Sequence, residues 1–424
     1  MSTRYQEQST FKTQLVNLSV LCAFTSLLII GKGHNVSGVF LLLPALFLAF
    51  PIKKTDLPKN FWTLTAIFIA FFSISVLSFL FKGGNTSDFD QPSRFIFVLL
   101  VILMLIKYPP KVNFIILGVT LSSILALIVA IIHTQYYGMN RAFTGINDIA
   151  WMKGYMPIQD GGIVMTMGLL CGNFFIYSLK NQQYKIATFT FIGCLCGLAA
   201  SLMSGSRGAW IALPVVFIYL VYSHRHYFRN KAIILLPMLF LSLFIFSALQ
   251  SEHVMNRVNQ ASQDIQKLES GNLNSSVGVR VMLWKSAILA TKEYPIFGSG
   301  YPQRLEIRKE QVNTGVMPKL LNKWRNIHAH NQFLEYLSVY GIVGFISLIS
   351  VFLYPLYLFK RMEQTSPEHN ILKECGVIHI LATMSYCLTQ VFFAHNSGTI
   401  FYPLILSIFL ISSGAIKLNH SQGN

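Results

Sequence analysis

The chain reads as a succession of apolar runs separated by short polar turns, with one much longer polar interruption near its middle. About 20 apolar residues in a helix cross roughly 30 Å of hydrocarbon, and in lipid only a helix or a closed barrel satisfies its own backbone. The pattern predicts twelve spans, near 14–30, 38–52, 61–81, 95–108, 114–133, 163–179, 186–204, 209–223, 232–249, 333–358, 375–393 and 400–417. The second, fourth and eighth are short, which leaves them little room to tilt.

The long interruption runs from about 250 to 331. Inside it, Ser276 to Lys292 has helical apolar spacing and is closed by Pro295 and Gly298. A second amphipathic segment, Pro318 to Arg325, leads into Asn326-Ile-His328-Ala-His330-Asn331, where the chain re-enters an apolar helix. The expected architecture is all-α: a polytopic integral membrane protein forming one domain over 1–424, with 250–331 as a large, partly helical loop between spans nine and ten.

Composition supports a membrane setting, since 53% of residues are hydrophobic and only 12% charged, about half the charged share of a soluble domain. It also changes how the net charge of +17 is read. Basic residues flanking spans set orientation and attract anionic headgroups, so the partner indicated is membrane lipid and not nucleic acid. With the N-terminus placed in the cytoplasm, sixteen Lys and Arg fall on cytoplasmic loops and tails, and six on the short loops opposite. Both termini are therefore expected to be cytoplasmic, with the long loop outside.

All six cysteines lie in predicted spans and none forms a C-x-x-C pair, so neither a disulfide framework nor a zinc site is indicated. The polar stretch Met1 to Lys12 runs into an apolar segment without a small-residue cleavage site and reads as the lead into a first span.

On the outer face the candidate chemistry collects around His330. An imidazole at a helix mouth can act as a base near neutral pH, although it can equally cap the helix. Arg207 sits between Gly205 and Gly208 where two apolar runs meet; it can fork onto phosphate oxygens or snorkel to headgroups. Arg280 lies in the first turn of the loop helix, where a compensating anion offsets the helix dipole. His328 and His330 lack further ligands at metal spacing, and no metal is assigned there. Asp88-Phe-Asp90 has the look of a paired-acid divalent site, and His395-Asn396 lies in another outward turn. The 134–162 loop offers Arg141, Trp151, Tyr155 and Asp160, the aromatic and polar mix of sugar contacts.

These residues resemble the O-antigen ligase and O-antigen polymerase superfamily of bacterial envelope glycosyltransferases. The resemblance rests on His330-Asn331 followed by Gly341-Ile-Val-Gly344, on Gly-Val-Arg280 in a long outward loop, and on the earlier Ser-Arg207 turn. Within the superfamily, Asn256-Arg-Val-Asn-Gln through Ser276-Val-Gly-Val-Arg280 looks most like the ligase branch.

The resemblance implies transfer of O-antigen from undecaprenyl diphosphate to a sugar hydroxyl of the lipid A core, at the periplasmic face of the inner membrane. No cofactor is needed, because the donor carries its own activating diphosphate. It further implies His330 as the base and Arg207 and Arg280 on the diphosphate. His328, Asn331, Arg141, Trp151, Tyr155 and Asp160 remain as candidate substrate contacts. The alternatives are a polymerase extending the lipid-linked glycan, a transporter without chemistry, and transfer to a protein. Oligomeric state stays open.

Overall fold

The computed structural model describes residues 2–225, 252–270, 272–323, 328–362 and 366–419. Among them the regular structure is helical. Helices α1 (Ser2–Ser26), α2 (Gly33–Leu48), α3 (Lys59–Lys82), α4 (Arg94–Lys107) and α5 (Val112–Ile131) are followed by α6 (Pro157–Lys180), α7 (Tyr184–Met203) and α8 (Ala212–Ser223). The loop contributes α9 (Glu252–Glu269), α10 (Ser276–Glu293) and α11 (Tyr301–Asn313). The bundle is completed by α12 (Gln332–Arg361), α13 (Pro367–Cys387) and α14 (Asn396–Ser412).

Six of the described helical stretches are long and apolar enough to cross a membrane, and shorter apolar helices accompany them. The chain is thus a polytopic membrane protein. Eleven of the twelve predicted runs coincide with helices; the ninth, 232–249, lies outside the described residues, as do Arg325 and Asn326. The two shortest neighbours gain length from turns the apolar pattern omitted. A helical turn at Ser87–Asp90 extends α4 to a 21-residue span, and one at Arg207–Trp210 precedes α8.

Apolar residues cover α14 on every side, and from Phe401 to Ser412 the helix is buried throughout. A helix that is apolar all round belongs in the middle of a bundle. Around it Phe71, Phe95, Phe352, Phe393 and Tyr402 form a ring cluster with centroids 4.7–6.2 Å apart, the range of edge and offset aromatic contacts. α6 and α7 approach backbone to backbone: a Cβ on Gly197 would meet Gly168 Cα at 2.6 Å. Small residues at such crossings let helices pack by close dispersion contact where lipid offers no hydrophobic drive. Phe47, Leu80 and Phe81 point outward, as side chains facing acyl chains do.

The decisive feature for the site is a break in α12. Gly341 has φ +66°, and a Cβ there would lie 2.2 Å from Ile296 O. Only glycine takes that backbone conformation at no steric cost while another chain passes this closely. The passing chain is Pro295–Gly300, the segment that ends α10. It bonds along the break through Ser299 N–H to Ser338 O (3.0 Å), Gly300 N–H to Val339 O (2.9 Å) and Ile342 N–H to Pro295 O (2.9 Å). Lys82, at the end of α3, donates to the carbonyls of Phe297 and Gly298 at 2.5 and 2.7 Å. Backbone groups exposed by breaking a helix must be satisfied inside the protein at membrane depth, and this strap does so. It fastens the loop helices to the short half-helix Gln332–Tyr340 that follows His330. The loop also has its own small core, Val279, Met282, Leu283, Val312, Met317 and Leu321.

Candidate active site

The half-helix begins at Asn331, whose side-chain oxygen accepts from the N–H groups of Phe333 and Leu334 at 3.0 and 3.1 Å. That is an N-cap, and it satisfies donors with no partner inside the helix. Its amide nitrogen also donates to Leu388 O at 3.2 Å, at the end of α13. Just before it, His330 has φ +50°. A β-carbon makes this conformation costly, by about 1–3 kcal/mol, and surrounding contacts must hold it.

Glu335 supplies the strongest of those contacts. Its side chain is fully buried; one oxygen accepts from Ala329 N–H at 2.7 Å and the other from His328 Nδ1 at 3.1 Å. Burial alone lowers the pKa of His328, but the hydrogen bond and charge of Glu335 outweigh it, so His328 lies above the usual imidazole value.

His330 is governed differently. Its Nδ1 bonds Gln390 Oε1 at 3.1 Å, and Gln390 Nε2 bonds His395 Nε2 at 3.1 Å. Since an amide oxygen only accepts, Nδ1 of His330 carries the hydrogen, and in the neutral ring Nε2 carries the lone pair. Burial lowers the pKa of His330 and the charge of Arg280 lowers it further, against the raising effect of Gln390. The two histidines of one turn are therefore pushed apart, His330 towards neutral and His328 towards cationic. His395 is lowered to about 4, by burial first and by the other two histidines.

The arginines approach from two other elements. The Arg207 turn abuts the turn after α13, so closely that a Cβ on Gly208 would be 2.3 Å from Thr389 Oγ1; the next residue, Gln390, is the partner of His330. Arg207 Nη2 lies 3.4 Å from Asp264 Oδ2 and 3.3 Å from Ser276 Oγ. Ser276 opens α10 and Arg280 follows one turn later on the same face. The pKa of Arg280 is lowered by burial and by the positive charge of Arg207, with Asp264 opposing. Arg207, Arg280 and His330, from three separated stretches of sequence, thus form one neighbourhood.

The other sequence candidates divide. His328 and Asn331 belong to the same turn as His330. Arg141 donates from Nε to Ser204 O at 2.8 Å, beside the Arg207 turn. Trp151 packs against His133 with the rings tilted by 52° and centroids 5.3 Å apart. Tyr155 and Asp160 are buried, where the loop meets the α1–α2 turn and where it enters α6. Tyr155 donates to Leu28 O at 2.7 Å, and Asp160 accepts from Met156 N–H at 2.7 Å in the first turn of α6. Asp90 is engaged by Arg94 at 2.7 Å, while Asp88 faces a cavity with His328. Among the described residues no three of His, Cys, Asp and Glu group as metal ligands.

Sequence reasoning missed Glu335 as the anchor of the turn and Gln390 as the partner of the histidine. Glu335 lies seven residues after His328 in an apolar helix, and a carboxylate there needs a buried partner. Gln390 carried no local signal.

These features define a class: a polytopic membrane protein with a half-buried histidine–arginine site at one end of its bundle. Residues 192–349, which carry both arginines, the histidine turn and the broken helix, match the family described as O-Antigen ligase. The chain is 30% identical to an uncharacterised protein of Haemophilus influenzae, over 94% of this chain and 98% of that one. It is 23% identical to the ComP-specific O-oligosaccharyltransferase of Acinetobacter baylyi (86% and 62%) and 19% identical to the O-antigen ligase of Escherichia coli (82% and 78%). The chain belongs to the O-antigen ligase superfamily. Lipid-linked glycan transfer is the general function that this membership supports.

Proposed function

We propose that the chain transfers an O-antigen glycan from undecaprenyl diphosphate to a sugar hydroxyl of the lipid A core, on the periplasmic face of the inner membrane. The observation that carries the reading is the meeting of His330 with Arg280 and Arg207. A neutral imidazole and two guanidiniums in one neighbourhood suit a reaction that removes a proton on one side and releases an anion on the other.

In this reaction His330 Nε2 takes the acceptor hydroxyl proton as the oxygen attacks the anomeric carbon. The bond from that carbon to the diphosphate oxygen breaks with its electron pair, and the diphosphate leaves. Arg280 and Arg207 neutralise the charge that develops there, without a metal. Attack opposite the leaving group inverts the anomeric centre. Gln390 holds the tautomer that makes Nε2 the base, and burial, aided by the charge of Arg280, keeps the ring neutral before attack. The bundle takes the polyprenyl tail from the side.

The test is reconstitution of purified protein with lipid-linked glycan, with and without lipid A core. Glycosylated core formed only when core is present supports ligation; elongation of donor alone identifies a polymerase. The relative named for ComP gives a reason to include a protein acceptor as a third arm.

A further inference from the structure

Beside the histidine turn lies a small cavity, about 60 Å³, that the transfer mechanism does not use. Its walls come from the Ser87–Pro92 turn, Tyr301, His328 and Gln332, with Tyr336 and Tyr340 behind. Gln332 is fully buried. Its Oε1 accepts from Phe393 N–H at 2.8 Å, which fixes the amide, and its Nε2 has no hydrogen-bond partner among the described residues. A buried donor left unmatched is costly, so a group in the cavity that accepts from it is favoured.

Size and chemistry narrow what that group is. About 10–15 Å³ of such space holds one water, so the cavity takes about four to six heavy atoms, a substituent and not a whole hexose. The carboxylate of Asp88 lines it together with the imidazole of His328, which buried Glu335 holds from behind, so the cavity offers a charged acceptor and a donor to one neutral polar group. A hydroxyl both accepts from Gln332 and donates to Asp88. Aromatic walls with a few placed polar groups are the usual surroundings of a sugar.

We infer that this cavity is an acceptor subsite, holding one neutral hydroxyl or hydroxymethyl group of the acceptor saccharide while a neighbouring hydroxyl reacts at His330. The inference rests on the glycan-transfer reading, and assigns Asp88 and Gln332 to acceptor recognition apart from the arginines.

The test measures binding of delipidated core oligosaccharide to the purified full chain in detergent, for wild type, Asp88→Asn, Gln332→Glu and Ser87→Leu. Asp88→Asn keeps an acceptor for Asn85 N–H (2.8 Å in the native turn), and Gln332→Glu keeps one for Phe393, so each removes mainly the contact in question. Ser87→Leu crowds the cavity from an exposed turn and decides the matter if either buried variant fails to fold. The expected result is binding weakened about tenfold or more in each folded variant, with binding of lipid-linked donor unchanged. Absence of wild-type binding, or wild-type affinity in the variants, overturns the subsite and leaves a cavity for water. Transfer is followed in the same preparations. No transfer together with Asp88-dependent binding removes the transfer reading and keeps the subsite.

Discussion

Replacing Glu335 by Gln isolates what holds the His330 turn. The carboxylate accepts two hydrogen bonds, at 2.7 and 3.1 Å, with its side chain wholly buried. Hydrogen bonds to a charged group contribute about 1.5–3 kcal/mol each. Glutamine keeps one acceptor for Ala329 N–H but presents an NH₂ to His328 Nδ1, so one charge-assisted bond goes, roughly 1.5–3 kcal/mol by the same measure. The turn it holds includes His330 at φ +50°, a conformation that itself costs about 1–3 kcal/mol. The lost bond is comparable with that strain, and each 1.36 kcal/mol is tenfold. Transfer should therefore fall by about 10- to 150-fold. The assay is the initial rate of core glycosylation in nanodiscs, normalised to protein, with the melting midpoint as a check on the fold. A folded Glu335→Gln protein within about threefold of wild type would refute the idea that this carboxylate holds the turn.

Other outcomes follow from the same geometry. Because burial and Arg280 lower the pKa of His330, its basic form persists below the usual imidazole range and is lost only as pH falls through that lowered value. The acid limb of kcat/KM should lie there, and Gln390→Glu should move it upward by placing a carboxylate against Nδ1; an unmoved limb assigns the titration to another group. Arg280→Lys and Arg207→Lys keep the charge but not the fork, so each should lower kcat at least about tenfold, and a mutant cycle between them should be non-additive. Arg280→Lys at wild-type rate would exclude that guanidinium from the leaving-group side. Gly341→Ala adds a left-handed penalty of about 1–2 kcal/mol and a Cβ 2.2 Å from Ile296 O. It should lower the melting midpoint and the yield of folded protein more than Gly38→Ala does, where a Cβ meets only Ile400 Cγ2 at 3.6 Å.

The spans were legible because lipid imposes length and apolarity on each run, and α3, α5, α6, α7 and α12 follow the predicted runs within a few residues at most ends. The glycine pair after His330 was visible as a motif, but its purpose was not. Gly341 matters because Pro295–Gly300 passes against it, and that contact joins stretches about 40 residues apart. Arg207, Arg280 and His330 were each suspect from local surroundings, whereas their convergence depends on Gly208 meeting Thr389 and on α10 lying along Arg207. Gln390 was invisible for the same reason: a neutral amide 60 residues from His330 has no period or spacing to betray it. Tyr155 and Asp160 show the converse, since residue types suited to sugars also suit a loop packed against the α1–α2 turn.

The account turns on His330 as the base, and single-turnover transfer by His330→Ala tests it most directly. General-base catalysis contributes about 10²- to 10⁴-fold. With donor binding retained and the fold intact, the chemical step should slow by that much and lose its acid limb. A His330→Ala protein that transfers glycan at the wild-type single-turnover rate, with the same pH dependence, would contradict it.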